Sequence, residues 1–463
     1  MSSSNRRDFM KKSAMTVGAM VAAPAVKSGF AQNKPSNQVN VAVVGFGGRG
    51  RAHYREFAKQ KNVKVVALCD ADERLFSRGV KDVEKIAGYR PKTYYDIRKL
   101  LENKDIDAIS IATPDHWHAL MTIWACQAGK DVYVEKPISY TIEEGRKMVQ
   151  AARKYSRVVQ AGLNMRSNSS TRSAVKYLQG GHLGEVYRSK AFIYKGRASI
   201  GKIKDSPVPK GVNWDFFLGP APYRPFNMNR FHYGWHFFWD TSTADMGNTG
   251  VHLIDVSRWG MNKRIHPVKV HCAGGLYVWD SDQETPNVQT AIVEYADGSC
   301  MDIEVTNLYT NPIGGMRGTG NFFYTDKGYM SSANGYETFK GEFIPRTPNV
   351  DADGVNLHAS NVSFPDRKYT PGITMEKWEG KIETVSHFEN FIDCVRSRRW
   401  QDLYCDVLEG HMSTSICHLA NISFRTGRKL EFDPHSEKFI NDDDANSYLT
   451  RQYRHPYVLP KKV

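Results

Sequence analysis

Short apolar runs alternate with helical stripes through the first third of the chain. Val39, Val41, Val43 and Val44 form a β-branched run of the kind that a strand covered on both faces requires. Residues 63–68, 106–112, 132–134 and 158–161 repeat that signal. Helical segments fall between them at 51–60, 75–87, 119–128 and 142–155, with a short segment at 94–101. Thr141 stands as N-cap of the 142–155 segment, with Glu143 and Glu144 in its first turn, and Gly129 closes the segment before it. Such alternation predicts a doubly wound parallel α/β sheet. The pattern changes beyond about Asn164. After one more helix at 173–179, strands predominate at 185–194, 268–278, 287–295, 299–307 and 321–326, with a hairpin signal at Ala296-Asp297-Gly298. This predicts an α+β domain with a mostly antiparallel sheet. Helical periodicity returns at 383–396 and 406–426, while residues 345–380 are polar and poorly patterned. The boundaries that follow are a leader at 1–31, a first domain at 37–163, a second at 164–430 and a tail at 431–463.

The first strand runs into Gly45-Phe46-Gly47-Gly48-Arg49-Gly50, and a helix follows. In that setting G-x-G-x-x-G reads as a dinucleotide loop. Gly45 permits the tight turn, Gly47 lets the backbone approach a pyrophosphate, and Gly50 lets helix and strand pack closely. The helix N-terminus then faces the phosphates. Asp70 ends the next strand, about 20 residues on, where a carboxylate accepts hydrogen bonds from ribose hydroxyls. It would repel a 2′-phosphate, which favours NAD over NADP, although Arg74 lies close behind.

The N-terminal stretch stands outside this fold. Asn5-Arg6-Arg7-Asp8-Phe9-Met10-Lys11 resembles a twin-arginine export motif. A mildly apolar stretch at 13–25 follows, with cleavage expected after Ala25 or Ala31. Export of a folded, cofactor-loaded protein to the periplasm or another extracytoplasmic location is the expectation. The chain of 463 residues carries a formal net charge of +14, of which residues 1–31 contribute about +4. The remaining charges are dispersed, without the basic run or aromatic-interleaved stripe that follows a nucleic-acid backbone. Nothing after residue 31 has the pattern of a membrane span. Seven scattered cysteines without a C-x-x-C indicate thiols rather than a disulfide framework or a zinc site.

Ligands of such sheets sit beyond the carboxyl ends of the strands. Three strand ends should therefore meet: the glycine loop, with Phe46 and Arg49; Thr113, Pro114 and His118; and Glu135, Lys136 and Pro137. Lys136 stands where the nicotinamide end of a cofactor should arrive, and partial desolvation would suit its amine to proton exchange with a substrate hydroxyl. A second cluster, at 245–255, holds a glycine-rich turn feeding a helix. Asn248 and His252 would share a face, as would His252 and Asp255, so either neighbour could orient a His252 acid–base group. His116, His118, His252 and Asp255 form a weak candidate metal set, and no metal is predicted. Residues 196–245 are rich in aromatics, and their flat rings suit the C–H face of a sugar. Trp235 and Trp239 are expected in that role, with His232, His236 and Asp240 reading hydroxyls. The competing reading is a domain or subunit interface.

Together VVGFGGRG, ATPDHWHA, VEKP, GLNMR and GNTGVHLIDVSRW resemble the glucose–fructose oxidoreductase / inositol dehydrogenase / rhizopine-catabolism (Gfo/Idh/MocA) family, over essentially the whole chain after the leader. The resemblance implies a Rossmann domain followed by a domain with an open-faced sheet. It also implies bound NAD or NADP, oxidation or reduction of a sugar or cyclitol hydroxyl, and a homodimer or homotetramer through the open sheet. It makes Lys136 the EKP lysine and His252 the catalytic-domain histidine, places His118 and Arg166 at the active site, and brings Asn164 of GLNMR to the cofactor. Family dehydrogenases often carry aspartate four residues before the histidine; this chain has Asn248. Two enzymatic readings follow. One is an exported oxidoreductase of a sugar or glycoside with retained NAD. The other is an NAD-dependent glycosidase working by oxidation, elimination, addition and reduction. A non-catalytic sugar-binding protein is the third.

Overall fold

A computed structural model describes residues 37–308, 318–333, 336–340, 373–374 and 382–463. The export motif, both expected cleavage positions and most of the polar stretch at 345–380 lie outside the described residues. The first domain holds six parallel strands, β1 (Val39–Val44), β2 (Val63–Cys69), β3 (Lys92–Tyr94), β4 (Ala108–Ile111), β5 (Asp131–Val134) and β6 (Val159–Ala161). Their order across the sheet is β3-β2-β1-β4-β5-β6. The order reverses between β1 and β4, so their carboxyl ends splay apart and leave a crevice for a ligand. The central strands β1, β4 and β5 are short and almost entirely buried because helices cover both faces, while the edge strand β3 is largely exposed.

Helix ends follow the local chemistry. The Thr141 hydroxyl accepts from the Glu144 amide at 3.2 Å and starts the helix Ile142–Lys154. The helix expected from residue 119 instead begins at Asp115 and runs to Gln127. Pro114 needs no N–H and sits naturally just outside a first turn, and Asp115 favours the positive end of the helix. His116 and His118 therefore ride on helix rather than on a strand-end turn.

Among the described residues, the second domain is built on a mixed ten-stranded sheet. Its strands are β7 (Val186–Tyr194), β8 (Lys269–Gly275), β9 (Val288–Glu294), β10 (Cys300–Thr306), β11 (Thr319–Thr325), β12 (Gly328–Ser331), β13 (Glu337–Lys340), β14 (Ile373–Thr374), β15 (Leu430–Asp433) and β16 (Lys438–Phe439). They are ordered β14-β13-β12-β11-β7-β10-β9-β8-β15-β16. β7 and β10 pair in parallel; the other neighbours are antiparallel. Alternate residues of β8, β9 and β10 are buried, as a sheet packed on one face requires. Among the described residues, no helix is long and apolar enough to cross a membrane.

Late segments complete the early domain. The helix His387–Ser397 sends Phe388, Phe391 and Ile392 into the same core as Val41, Phe57 and Tyr133. The helix Val407–Thr426 packs on both Ile142–Lys154 and β8. Residues 431–463, expected as a tail, supply β15 and β16 and then return to the first domain. There the Tyr457 ring meets Trp117 edge-on at 5.3 Å and its hydroxyl donates to Asp215 at 2.8 Å.

Candidate active site

A cavity of about 630 Å³ opens at the β1/β4 switch point. One half of its wall is the glycine loop. Gly45 has φ +77°, and a Cβ there would lie 2.7 Å from the Thr113 nitrogen. A Cβ on Gly50 would lie 2.0 Å from the Gly45 carbonyl oxygen. The close approach that a dinucleotide loop needs is thus built into the backbone, with Gly47, Gly48 and Arg49 on the cavity wall. Phe46 departs from expectation. Its ring is fully buried against Tyr54 and Phe76 and does not face the cavity, while its amide donates to Asp70 at 2.8 Å. Asp70 also accepts from the Asp72 amide at 3.1 Å, and burial raises its carboxyl to about 6. Arg74 turns away to pair with Asp72, with nitrogen–oxygen distances of 2.7 and 2.8 Å, and is not part of the wall. The residues present therefore fit a dinucleotide whose ribose hydroxyls meet Asp70.

The loop at 196–245 closes over this end. The amide of Asn213 donates to the carbonyl of Ala71 at 2.8 Å, and that of Glu73 to Gly211 at 2.9 Å. His232 reaches Asp72 at 2.8 Å beside Gly47. It therefore serves the wall near Asp70, away from the hydroxyl-reading role expected of it.

The other half of the cavity gathers Lys136, His118, Glu135, Asn248, Thr249 and His252 with Tyr233, Trp235 and His236. Lys136 Nζ donates to the Asn248 carbonyl oxygen at 2.7 Å and to its Oδ1 at 3.1 Å. Burial lowers its pKa, while the carboxylates of Glu135 and Asp115 oppose that shift. Glu135, next in sequence, points elsewhere and accepts from Arg49 at 3.0 Å and from His53 at 2.9 Å. Although burial works against it, those partners hold the Glu135 carboxyl well below the usual range. His118 sits with its nitrogens at the carbonyl oxygens of Pro137 (2.7 Å) and Thr113 (2.8 Å), tying two of the strand ends together. Asp115, unanticipated as a wall residue, accepts from the Thr243 hydroxyl at 2.8 Å, and burial raises it to about 7.

His252 borders the cavity, but its expected partners do not hold it. Its Nδ1 is buried without a hydrogen-bond partner, Asp255 is committed elsewhere, and Asn248 faces Lys136. Burial and the adjacent Lys136 charge push His252 down to about 3, so its ring is neutral at physiological pH. Arg166 and Asp255 are also placed differently from expectation. They form a doubly bonded pair at 2.8 Å, extended by Glu409 and Ser413, and neither reaches the cavity wall. Their charges neutralise one another inside the protein, which a sequence cannot display. Asn164 is exposed on the turn after β6, also off the wall.

The aromatic loop divides its residues three ways. Trp214, Phe226 and Phe231 form the loop's own core. Trp235 and His236 stack at 3.6 Å, with Tyr233 alongside at 4.4 Å from His236, and make a flat cavity wall. Trp239 and Asp240 instead line a separate cavity of about 250 Å³, where Asp240 pairs with Arg224. Lys195 is a further wall residue that carries no motif, and Thr249, inside GNTGVHLIDVSRW, is another that the sequence reading does not single out within it. The weighed metal set does not come together. Among the described residues the clustered donors are His266, His411 and Glu437, where the carboxylate already accepts from both imidazoles and from Arg146.

Residues 39–163 match the family model described as "Oxidoreductase family, NAD-binding Rossmann fold", and residues 184–321 and 372–459 its C-terminal alpha/beta domain. The chain belongs to the Gfo/Idh/MocA family. The cofactor of this Gfo/Idh/MocA Rossmann domain is NAD. Among curated relatives, the "Glycosyl hydrolase family 109 protein" of Shewanella baltica is 27% identical over 220 residues, covering 43% of this chain and 48% of its own. The "Alpha-N-acetylgalactosaminidase" of Shewanella oneidensis is 26% identical over the same shares. The chain thus spans about half the length of the curated relatives it matches. Among solved structures, the WlbA dehydrogenase of Bordetella pertussis, in complex with NADH and UDP-GlcNAcA, aligns over 86% of this chain and 99% of its own. At 18% identity and a TM-score of 0.59, that likeness concerns the Gfo/Idh/MocA fold.

Proposed function

We propose that this protein is an NAD-dependent oxidoreductase acting on a ring hydroxyl of a sugar or glycoside. The observation that carries the reading is the Lys136 amine. It borders the dinucleotide cavity, is held on two oxygens of Asn248, and faces an aromatic wall. When bound, the dinucleotide supplies hydride transfer. Gly45, Gly47, Gly50 and Asp70 hold it, and Lys136 exchanges the proton of the hydroxyl being oxidised or re-formed. Neutral His252 offers the hydroxyl a hydrogen-bond partner without competing for that proton. Tyr233, Trp235 and His236 present flat faces to the sugar ring.

The loop contacts across the Asp70 end favour a retained cofactor, and so a closed redox cycle. This supports a second reading, a glycosidase that oxidises, eliminates, adds water and reduces within one site; the names of the two curated relatives point the same way. Export through the twin-arginine route, with folding and cofactor loading beforehand, accords with either reading.

The test begins by denaturing the purified protein and weighing the released small molecules. Bound NAD, followed by release of free sugar from aryl glycosides with no net NADH, selects the glycosidase. Keto-sugar formed together with NADH selects the dehydrogenase. A protein that neither carries nor binds NAD would sink both.

A further inference from the structure

Lys136 does not find its two acceptors by chance of side-chain length. Asn248 lies in one wide turn, Met246–Gly250, that precedes the helix Val251–Gly260. This turn leaves the Asn248 carbonyl oxygen turned toward Lys136 Nζ. The side chain is oriented from behind. Its Nδ2 donates to Asp245 Oδ1 at 3.1 Å, so its Oδ1 is left to face the lysine. Turning the amide over would aim its NH2 group at the ammonium and its oxygen at the carboxylate, losing both contacts. Asp245 itself is buried and cannot swing. Arg197 grips it with both nitrogens at 2.6 Å, and the Asn307 side chain also donates to it. Arg197 in turn donates to the hydroxyl of Tyr233, on the aromatic wall.

We propose that Asp245 is a positioning residue that acts on Lys136 through the Asn248 carboxamide, and that Arg197 ties this arrangement to the aromatic wall. It rests on the reading of Lys136 as the proton-exchanging group. Asp245 makes no hydrogen bond to the lysine and does not itself line the cavity; its charge reaches Nζ through space, and its hydrogen bonding reaches Nζ through the Asn248 carboxamide. The neutral amide has a consequence that a carboxylate at position 248 would lack. It orients the amine without placing a full negative charge 3.1 Å from it, so the amine gives up its proton more readily. The groups that set the lysine's charge come from every neighbouring element. Arg49 lies on the glycine loop, Asp115 and His118 on the helix after β4, Glu135 beside it, Asp245 and His252 around the wide turn, and His236 on the aromatic wall. Of these, Asp245 is connected to Nζ through a single intervening side chain.

The test is a direct titration of Lys136 in the full-length, NADH-loaded protein, by competitive acetylation with acetic anhydride and peptide mass analysis across pH. Asn248→Asp should raise the midpoint by about one unit or more. Asp245→Asn should lower it and reduce kcat about tenfold, with KM little changed. The acid limb of kcat/KM should move in the same directions. Midpoints for both variants that match the parent would overturn the proposal. Should Asp245→Asn fail to fold, because Arg197 loses its counter-charge, Asp245→Glu, which keeps the charge but displaces the carboxylate from the Asn248 amide, takes its place: a reduced kcat with KM little changed is expected, and an unchanged kcat would overturn the proposal. NADH binding by the parent, followed by fluorescence, judges the functional reading separately. The acetylation midpoint does not depend on knowing the substrate.

Discussion

At the Asp70 end of the cavity the wall is built on the backbone of the glycine loop, packed against Ala112 and Thr113 and covered by the loop at 196–245. Gly45 and Gly50 bring main chain against main chain, and Asp70 is oriented by the Phe46 amide, 24 residues earlier. At the Lys136 end, the lysine, the Asp245–Asn248 turn, Arg197 and the aromatic wall come from separate parts of the sequence and meet through side chains and one backbone carbonyl, that of Asn248. The first end is a steric device, intolerant of a single added methyl group. The second is an electrostatic device, where the charge state of one amine depends on residues that never touch the ligand. Damage at the two ends should therefore register in different observables: cofactor affinity at one, rate and pH profile at the other.

The largest expected effect is at the electrostatic end. Lys136→Ala should reduce turnover by about 10²–10⁴-fold, the range for loss of a general acid–base group, with NADH affinity almost unchanged. Steady-state kinetics beside NADH fluorescence titration would check this; retained turnover would remove the lysine from the chemistry. Next comes the steric end. Gly50→Ala would set a Cβ 2.0 Å from the Gly45 carbonyl oxygen. It should weaken NADH binding at least about tenfold and cost about 1–3 kcal/mol of stability, seen as a lower Tm.

A smaller, pH-dependent effect belongs to Asp70. Its folded value of about 6 lies above its ordinary 3.8, so the folded chain holds that proton more tightly. The group therefore withdraws stability as pH rises from the unfolded value through about 6, and has no further effect above it. Ribose hydroxyls bond best to the ionised carboxylate, so NADH should bind more tightly as pH rises through about 6. Titrations between acid and neutral pH should show that inflection in the parent and lose it in Asp70→Asn. The smallest change is expected from Arg74→Ala. The guanidinium is already committed to Asp72, so the NAD-to-NADP preference should move by less than about twofold. A large swing would show Arg74 free to meet a 2′-phosphate.

The legible parts of the site are those whose chemistry is local. The glycine loop, Asp70 and Lys136 at its strand end each announce themselves within a few residues, because a tight turn or the end of a strand needs its residue types in a row. The illegible parts depend on partners. Asp255 has helical spacing from His252 and looked like its orienting group, yet Arg166 holds it from 89 residues away. Trp239 and Asp240 belong to the same aromatic stretch as Trp235, but the chain turns between them and carries them to another cavity. Phe46 occupies a loop position and still points inward, because the apolar interior beside Tyr54 is the better environment for its ring.

What the sequence determined by itself is the alternation of strand and helix, the switch from parallel to mostly antiparallel pairing, and the cofactor loop. Periodicity and glycine placement are read within a window of a few residues, and the backbone obeys them locally. What only the tertiary structure decided is which charges meet. It placed Asn248 between Lys136 and Asp245, joined Arg166 to Asp255, and brought the helix His387–Ser397 back to finish the core of the first domain. A buried charge takes the nearest partner that the whole fold supplies, and distance along the chain carries no record of that choice.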